Sequence, residues 1–114
     1  PGQRPKTAGR MRFGAWVLHG PERQVVGRDG VVVSLSSTEY ALLATFLEHP
    51  NVVLTRDQLL DRVKGRGADE VFDRSIDTQI SRLRRKLEDD PRNPKLIKTA
   101  WGAGYLFAST VERA

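Results

Sequence analysis

The segment Asp73–Glu88, DRSIDTQISRLRRKLE, governs the reading of the whole chain. Ile76, Ile80, Leu83 and Leu87 follow one another at intervals of four, three and four residues. That spacing keeps them on one stripe and predicts an amphipathic helix with a narrow apolar face. At about 100° per residue, Arg74, Thr78, Ser81, Arg82 and Arg85 fall on the opposite side. An arginine can bond guanine bidentately or clamp a phosphate. A threonine methyl can meet the thymine methyl, and Ser or Gln can donate to phosphates. Basic helix faces also occur where nothing anionic binds, often neutralised by acids at i±4. Arg84, with Glu88 four residues on and a sideways direction, fits such a supporting role. Arg82 has Thr78 and Lys86 at that spacing, and Arg85 has Ser81 and one acid, Asp89. The outward face therefore suits a nucleic-acid duplex.

Two shorter helices precede this one. Ser36 and Glu39 have the spacing of a capping box, Leu35 and Tyr40 that of a hydrophobic staple. Leu43, Phe46 and Leu47 continue at helical spacing until His49-Pro50-Asn51 ends the run. Thr55 and Gln58 repeat the box, and Leu54 and Leu59 repeat the staple. This second helix is expected to reach about Val63 and stop at Gly65-Arg66-Gly67. The second and third helices would form a helix-turn-helix, with Gly65–Phe72 a longer connection than the usual short turn.

Residues 11–35 predict a small antiparallel sheet that covers the first helix. MRFGAWVL, QVVG and VVVSL read as three strands, with Arg28-Asp29-Gly30 as a tight turn. After DDPRNP, LIKT and YLFA predict two strands joined by Ala100–Gly104, whose two glycines suit a hairpin. A hairpin directly behind the third helix sits where a wing belongs. The expected fold class is α+β: a winged helix-turn-helix with an N-terminal antiparallel sheet, three helices and a C-terminal β-hairpin wing. Residues 1–10, PGQRPKTAGR, read as a linker or flexible arm, 11–110 as the domain and 111–114 as a C-terminal tail. The missing initiator Met suggests a piece of something longer.

Composition sets the outer bounds. The 114 residues suffice for one domain, with 39% hydrophobic and 29% charged residues. A net charge of +5 and a pI near 10.1 point to an anionic partner. Zero cysteines exclude disulfides and thiolate metal sites, and His19 and His49 form no ligand pattern, so no cofactor or metal is expected. No apolar run approaches the roughly 18–20 residues of a membrane span, nor is there a leader, which fits a cytoplasmic location.

SIDTQISRLRRKLEDDP, followed by IKTAWGAGYLF, resembles the C-terminal effector domain of the OmpR/PhoB family of response regulators. LSSTEYALLATFLEHPNVVLTRDQLLDRV is similar to the first two helices of that family, and the resemblance covers about residues 11–108 in collinear order. It implies a four-stranded N-terminal sheet, one strand more than counted above, with a short extra strand sought near residues 20–36. It also implies sequence-specific binding to promoter DNA, often to direct repeats with self-association on DNA. Recruitment of RNA polymerase and control through an attached receiver domain, phosphorylated on an Asp in response to a sensor kinase, come with it. A receiver cannot fit within these 114 residues.

By the resemblance, the third helix lies in the major groove. Thr78 and Arg82 are then the base readers, with Arg74, Ser75, Gln79, Ser81 and Arg85 nearer phosphates. Thr99, Gly102 and Tyr105 match wing positions that touch the sugar–phosphate backbone. Trp101 stands where some relatives place an Arg for the minor groove; it either packs on sugars or covers the hairpin base. The Lys64–Glu70 loop, with Lys64, Arg66, Asp69 and Glu70, matches the segment through which relatives meet RNA polymerase, or is an ordinary polar connector. Glu39 is expected to pair with Arg84 as an architectural contact.

Other classes fit less well. No nucleophile, base and orienter stand at a suggestive spacing, and no phosphate-binding glycine motif is present, which argues against an enzyme. A protein-interaction module is the main alternative, because a winged helix does not by itself imply DNA. It would dock through apolar surface. RNA ranks third, since a helix shaped for the major groove of DNA cannot enter the narrow groove of an A-form duplex.

Overall fold

The structure is a computed structural model that describes residues 10–65, 73–87, 89, 92 and 94–113, with side chains of the third helix described from Ile76 onward. Its elements are β1 (Arg10–Phe13), β2 (Trp16–His19), β3 (Gln24–Gly27), β4 (Val32–Ser34), α1 (Ser37–Glu48), α2 (Arg56–Gly65), α3 (Asp73–Lys86), β5 (Ile97–Ala100), β6 (Gly104–Phe107) and β7 (Val111–Arg113).

The stretch MRFGAWVL is a hairpin and not a single strand. It reverses at Gly14-Ala15, so that Phe13 pairs with Trp16. The reason lies in the side-chain period of a strand. Phe13 and Trp16 are three apart and would face opposite ways in one continuous strand. Reversal places both on the buried side. The fourth strand thus comes from this split and not from residues 20–36. At Arg28-Asp29-Gly30 the chain turns over three residues, with Gly30 N–H donating to Gly27 O at 2.9 Å and Gly27 N–H to Val31 O at 2.8 Å. Gly30 supplies the left-handed φ of +87° that closes such a loop, so Asp29 stays in an ordinary conformation.

The sheet runs β4-β3-β2-β1-β7. The expected C-terminal tail is therefore corrected: Val111–Arg113 pair antiparallel with Met11–Phe13. This pairing satisfies backbone groups that would otherwise line an open edge of β1.

Both capping boxes form. Ser36 N–H reaches Glu39 Oε1 at 2.8 Å while Glu39 N–H reaches Ser36 Oγ at 3.1 Å. Thr55 and Gln58 exchange the same two bonds at 2.8 and 3.1 Å. α2 runs two residues beyond Val63, through Gly65, and α3 ends at Lys86, with Glu88 outside the described residues. Ile76, Ile80, Leu83 and Leu87 are all buried, as the stripe requires.

These faces meet in one core. The Phe13 and Phe107 rings stand edge to face at 5.3 Å, and Phe107 stacks on Phe46 at 6.2 Å. Sheet, wing and α1 are thereby joined through three rings. Trp16 ties the sheet to the end of α3, its Nε1–H donating to Leu87 O at 3.2 Å.

Glu39 pairs with Lys86 and not with Arg84. Lys86 Nζ lies 2.6 Å from Glu39 Oε1 and also donates to Ser34 O at 2.9 Å. Residues 84 and 86 flank the apolar stripe on opposite sides, about 200° apart. The Lys86 flank faces α1, and the Arg84 flank faces the wing. Burial would raise the Glu39 carboxyl; the hydrogen bond and charge of Lys86 and the Ser36 cap outweigh it and hold the group below its ordinary 4.5.

Candidate nucleic-acid interface

α3 turns its buried stripe inward, and this fixes what it shows outward. Thr78, Ser81, Arg82 and Arg85 are exposed. Neither Arg82 nor Arg85 has an ionic or hydrogen-bonding partner among the described residues, so both guanidiniums remain available to an anion. Gln79 is only half exposed, and its Oε1 is buried without a hydrogen-bond partner among the described residues. Arg74 and Ser75 belong to the first turn of α3, and their side chains lie outside the described ones. Lys64 is exposed near the end of α2, whereas Arg66, Asp69 and Glu70 lie outside the described residues.

The β5–β6 hairpin is held beside α3 at several points. Arg84 is buried and spends its planar fork on the wing. Its Nε and Nη2 donate to Ile97 O at 3.0 and 2.8 Å, and Nη2 also reaches Thr99 Oγ1 at 2.9 Å. Asp89 is buried too. Its carboxylate accepts from the N–H groups of Lys95, Leu96 and Ile97 at 2.7 to 3.2 Å, fixing the chain where it enters β5. On the other strand, Tyr105 and Leu54 exchange backbone bonds of 2.8 and 2.9 Å. This close approach explains Gly104, where a Cβ would stand 2.1 Å from Leu54 O.

Between α3 and the wing runs a cleft whose lining includes Arg56, Asp77, Ser81, Thr99, Trp101 and Tyr105. Thr99 is half-buried and engaged by Arg84. Tyr105 is buried, and its hydroxyl donates to Asp77 Oδ1 at 2.6 Å. Arg56 Nε donates to the same oxygen at 2.8 Å. The hydrogen bond from Arg56 holds the Asp77 carboxyl below its ordinary 3.8, against the opposing effect of burial and with help from Tyr105. Burial first, and Asp77 second, push the Tyr105 phenol up.

Trp101 is 91% exposed at the wing tip, beside exposed Gly102. It does not cover the hairpin base, which removes that reading of it. The cleft thus brings Ser81 of α3 together with Thr99, Trp101, Gly102 and Tyr105 of the wing, while Arg82 and Arg85 lie on the exposed face of the same helix.

Sequence reasoning missed Arg56, Asp77 and Asp89. For Arg56 a weak signal existed: a cation directly after the N-cap opposes the helix dipole, a position that a nearby anion favours. Asp77 is the matching oddity, an acid beside the basic face of α3. Asp89 gave no local sign.

A three-helix core with an N-terminal sheet and a C-terminal hairpin beside the last helix defines a winged helix-turn-helix domain. Residues 30–107 match the family described as "Transcriptional regulatory protein, C terminal". The regulatory protein VirG of Agrobacterium fabrum is 48% identical over 109 residues, covering 96% of this chain and 43% of VirG. The transcriptional regulatory protein AruR of Pseudomonas aeruginosa is 41% identical over 110 residues, covering 96% of this chain and 45% of AruR. The chain therefore spans less than half the length of these curated relatives.

Among solved structures, the Klebsiella pneumoniae RstA DNA-binding domain in complex with the RstA box has a TM-score of 0.74 at 37% identity. The match covers 87% of this chain and 96% of that one. The DNA-binding domain of E. coli CadC has a TM-score of 0.80 at 29% identity, covering 99% of this chain and all of that one. This chain belongs to the transcriptional regulatory protein C-terminal family and is a DNA-binding output domain of the OmpR/PhoB response-regulator type. No described helix is long and apolar enough to cross a membrane.

Proposed function

We propose that the domain binds specific double-stranded DNA with α3 in the major groove and the β5–β6 wing on the adjacent backbone or minor groove. The observation that carries this reading is the exposed face of Thr78, Ser81, Arg82 and Arg85, backed by a fully buried stripe and continuous with the wing cleft. Thr78 and Arg82 read base edges. Arg74, Ser75, Gln79, Ser81 and Arg85 lie nearer phosphates, with the buried Gln79 oxygen limiting that side chain to its amide nitrogen. Thr99, Gly102 and Tyr105 meet the sugar–phosphate backbone through whatever their internal bonds leave free, and Trp101 packs on sugars. The domain acts as a binding module without catalysis.

In the whole protein, a receiver phosphorylated in response to a sensor kinase would control this domain in the cytoplasm. Two copies would self-associate on direct repeats of promoter DNA. Lys64, Arg66, Asp69 and Glu70 would meet RNA polymerase. The reading as a regulator's domain is supported by the similarity to VirG and AruR, and its DNA step by the likeness to the RstA DNA-binding domain in complex with its box.

The test is selection of duplexes from a random library, followed by affinity against salt for the winner and for a scrambled control. The expected result is an enriched motif with repeats about 10–11 base pairs apart and an affinity that falls steeply with salt, as counterion release requires. Weak, equal and salt-insensitive binding to both duplexes would instead favour a protein-interaction module.

A further inference from the structure

We infer that Asp77 is a positioning residue that sets the pitch of the wing against α3, and so sets which phosphates the wing reaches. This rests on the DNA-binding reading above. One carboxylate oxygen, Asp77 Oδ1, receives both Arg56 Nε at 2.8 Å and the Tyr105 hydroxyl at 2.6 Å. Three elements converge on that atom: the first residue of α2, the second turn of α3 and the strand β6. Two cations also approach the Tyr105 ring, with Arg56 Cζ 5.8 Å and Arg84 Cζ 5.7 Å from its centroid. Arg84 and Leu54 hold the base of the wing through Ile97, Thr99 and the Tyr105 backbone. Asp77 fixes the Tyr105 side chain from within the cleft that Trp101 and Gly102 of the exposed tip also line.

The chemistry makes the geometric role separable from an electrostatic one. A half-exposed carboxylate repels an approaching phosphate backbone, and here it also neutralises Arg56. On charge alone, removing Asp77 should tighten binding to every duplex. A positioning role has the opposite sign on the preferred duplex, because a wing set at the wrong pitch loses contacts only where α3 is in register.

The experiment uses Asp77→Ala, Tyr105→Phe and the double variant of this domain, each measured on the preferred and scrambled duplexes. Asp77→Ala is expected to lose about tenfold on the preferred duplex while binding the scrambled one as well as or better than the parent. Tyr105→Phe keeps the charge and the ring, and should lose in the same direction. The double variant should lose little more than Asp77→Ala, since both act through one bond. Backbone order parameters of Thr99–Tyr105 in the free domain provide a readout without DNA, and should fall in both single variants. Tighter binding of Asp77→Ala to both duplexes, or additive losses, would overturn the proposal. Unchanged wing order parameters would do the same. If the parent itself shows no sequence preference, the DNA reading falls, and the free-domain measurement still decides the clamp.

Discussion

Arg82 and Ile80 sit two residues apart on α3, and substitution should affect them in opposite ways. Arg82→Ala should cost about 1–3 kcal/mol on the preferred duplex and relax base choice at one position, with melting unchanged. An equal loss on every duplex would make it a phosphate contact. Ile80→Ala should cost about 2–5 kcal/mol of folding free energy, because Ile80 is 1% exposed and its removal leaves a cavity. Calorimetry checks it, and an unchanged melting temperature would mean the helix is rotated. Acid should act through Glu39 and Asp77, whose carboxyls are held below their ordinary values of 4.5 and 3.8. Groups lowered in the folded state lend stability that is full above those ordinary values and is lost as pH falls through the folded ones. Thermal melts should therefore be level from neutral to about pH 4.5 and decline below it. Glu39→Gln should flatten part of that decline, and an unflattened curve would assign acid sensitivity elsewhere. The Glu39 partner shows where sequence reading stops. The stripe of α3 was legible, but which flank faces α1 depends on how the helix is rolled in the core. That roll gives Lys86 to Glu39 and Arg84 to the wing.

Elements were legible in proportion to how local their signals are. Two capping boxes and one apolar stripe placed three helices, because each signal spans at most a few turns. The wing was visible from its glycines, yet its attachment was not. Arg84 and Asp77 reach it across tertiary distances, and Asp89 across an irregular segment, none of which a periodicity encodes. β7 escaped notice because three residues after a turn carry no pattern of their own and become a strand only when β1 is there to pair with them. The wing also yields its own predictions. Gly104→Ala should detach β6 from Leu54, since a Cβ at φ +141° would stand 2.1 Å from a carbonyl oxygen. Amide exchange over Ile97–Phe107 should quicken, and unchanged protection would show that the approach can relax. Asp89→Ala removes an acceptor from three N–H groups and should destabilise the domain by about 1.5–3 kcal/mol. A change below about 0.5 kcal/mol would mean that water replaces the carboxylate.

At the scale of the whole molecule, the net charge of +5 points to an anionic partner but not to where it binds. The placement comes from folding. Glu39 is consumed by Lys86 inside, Asp77 by Arg56 and Tyr105 in the cleft, and Arg82 and Arg85 are left outward. The net charge is therefore less informative than its sorting into internal pairs and exposed cations. The β1–β7 pairing has a separate consequence. With Met11 opposite Arg113, the Cα atoms of residues just over a hundred positions apart stand only about 5 Å from each other. A short peptide could close the chain into a ring there, and the ring could be opened at the exposed Arg28–Gly30 loop between β3 and β4. Such a circularly permuted domain should keep its fold and its DNA preference. The order in which the elements are strung would then matter less than the contacts they make.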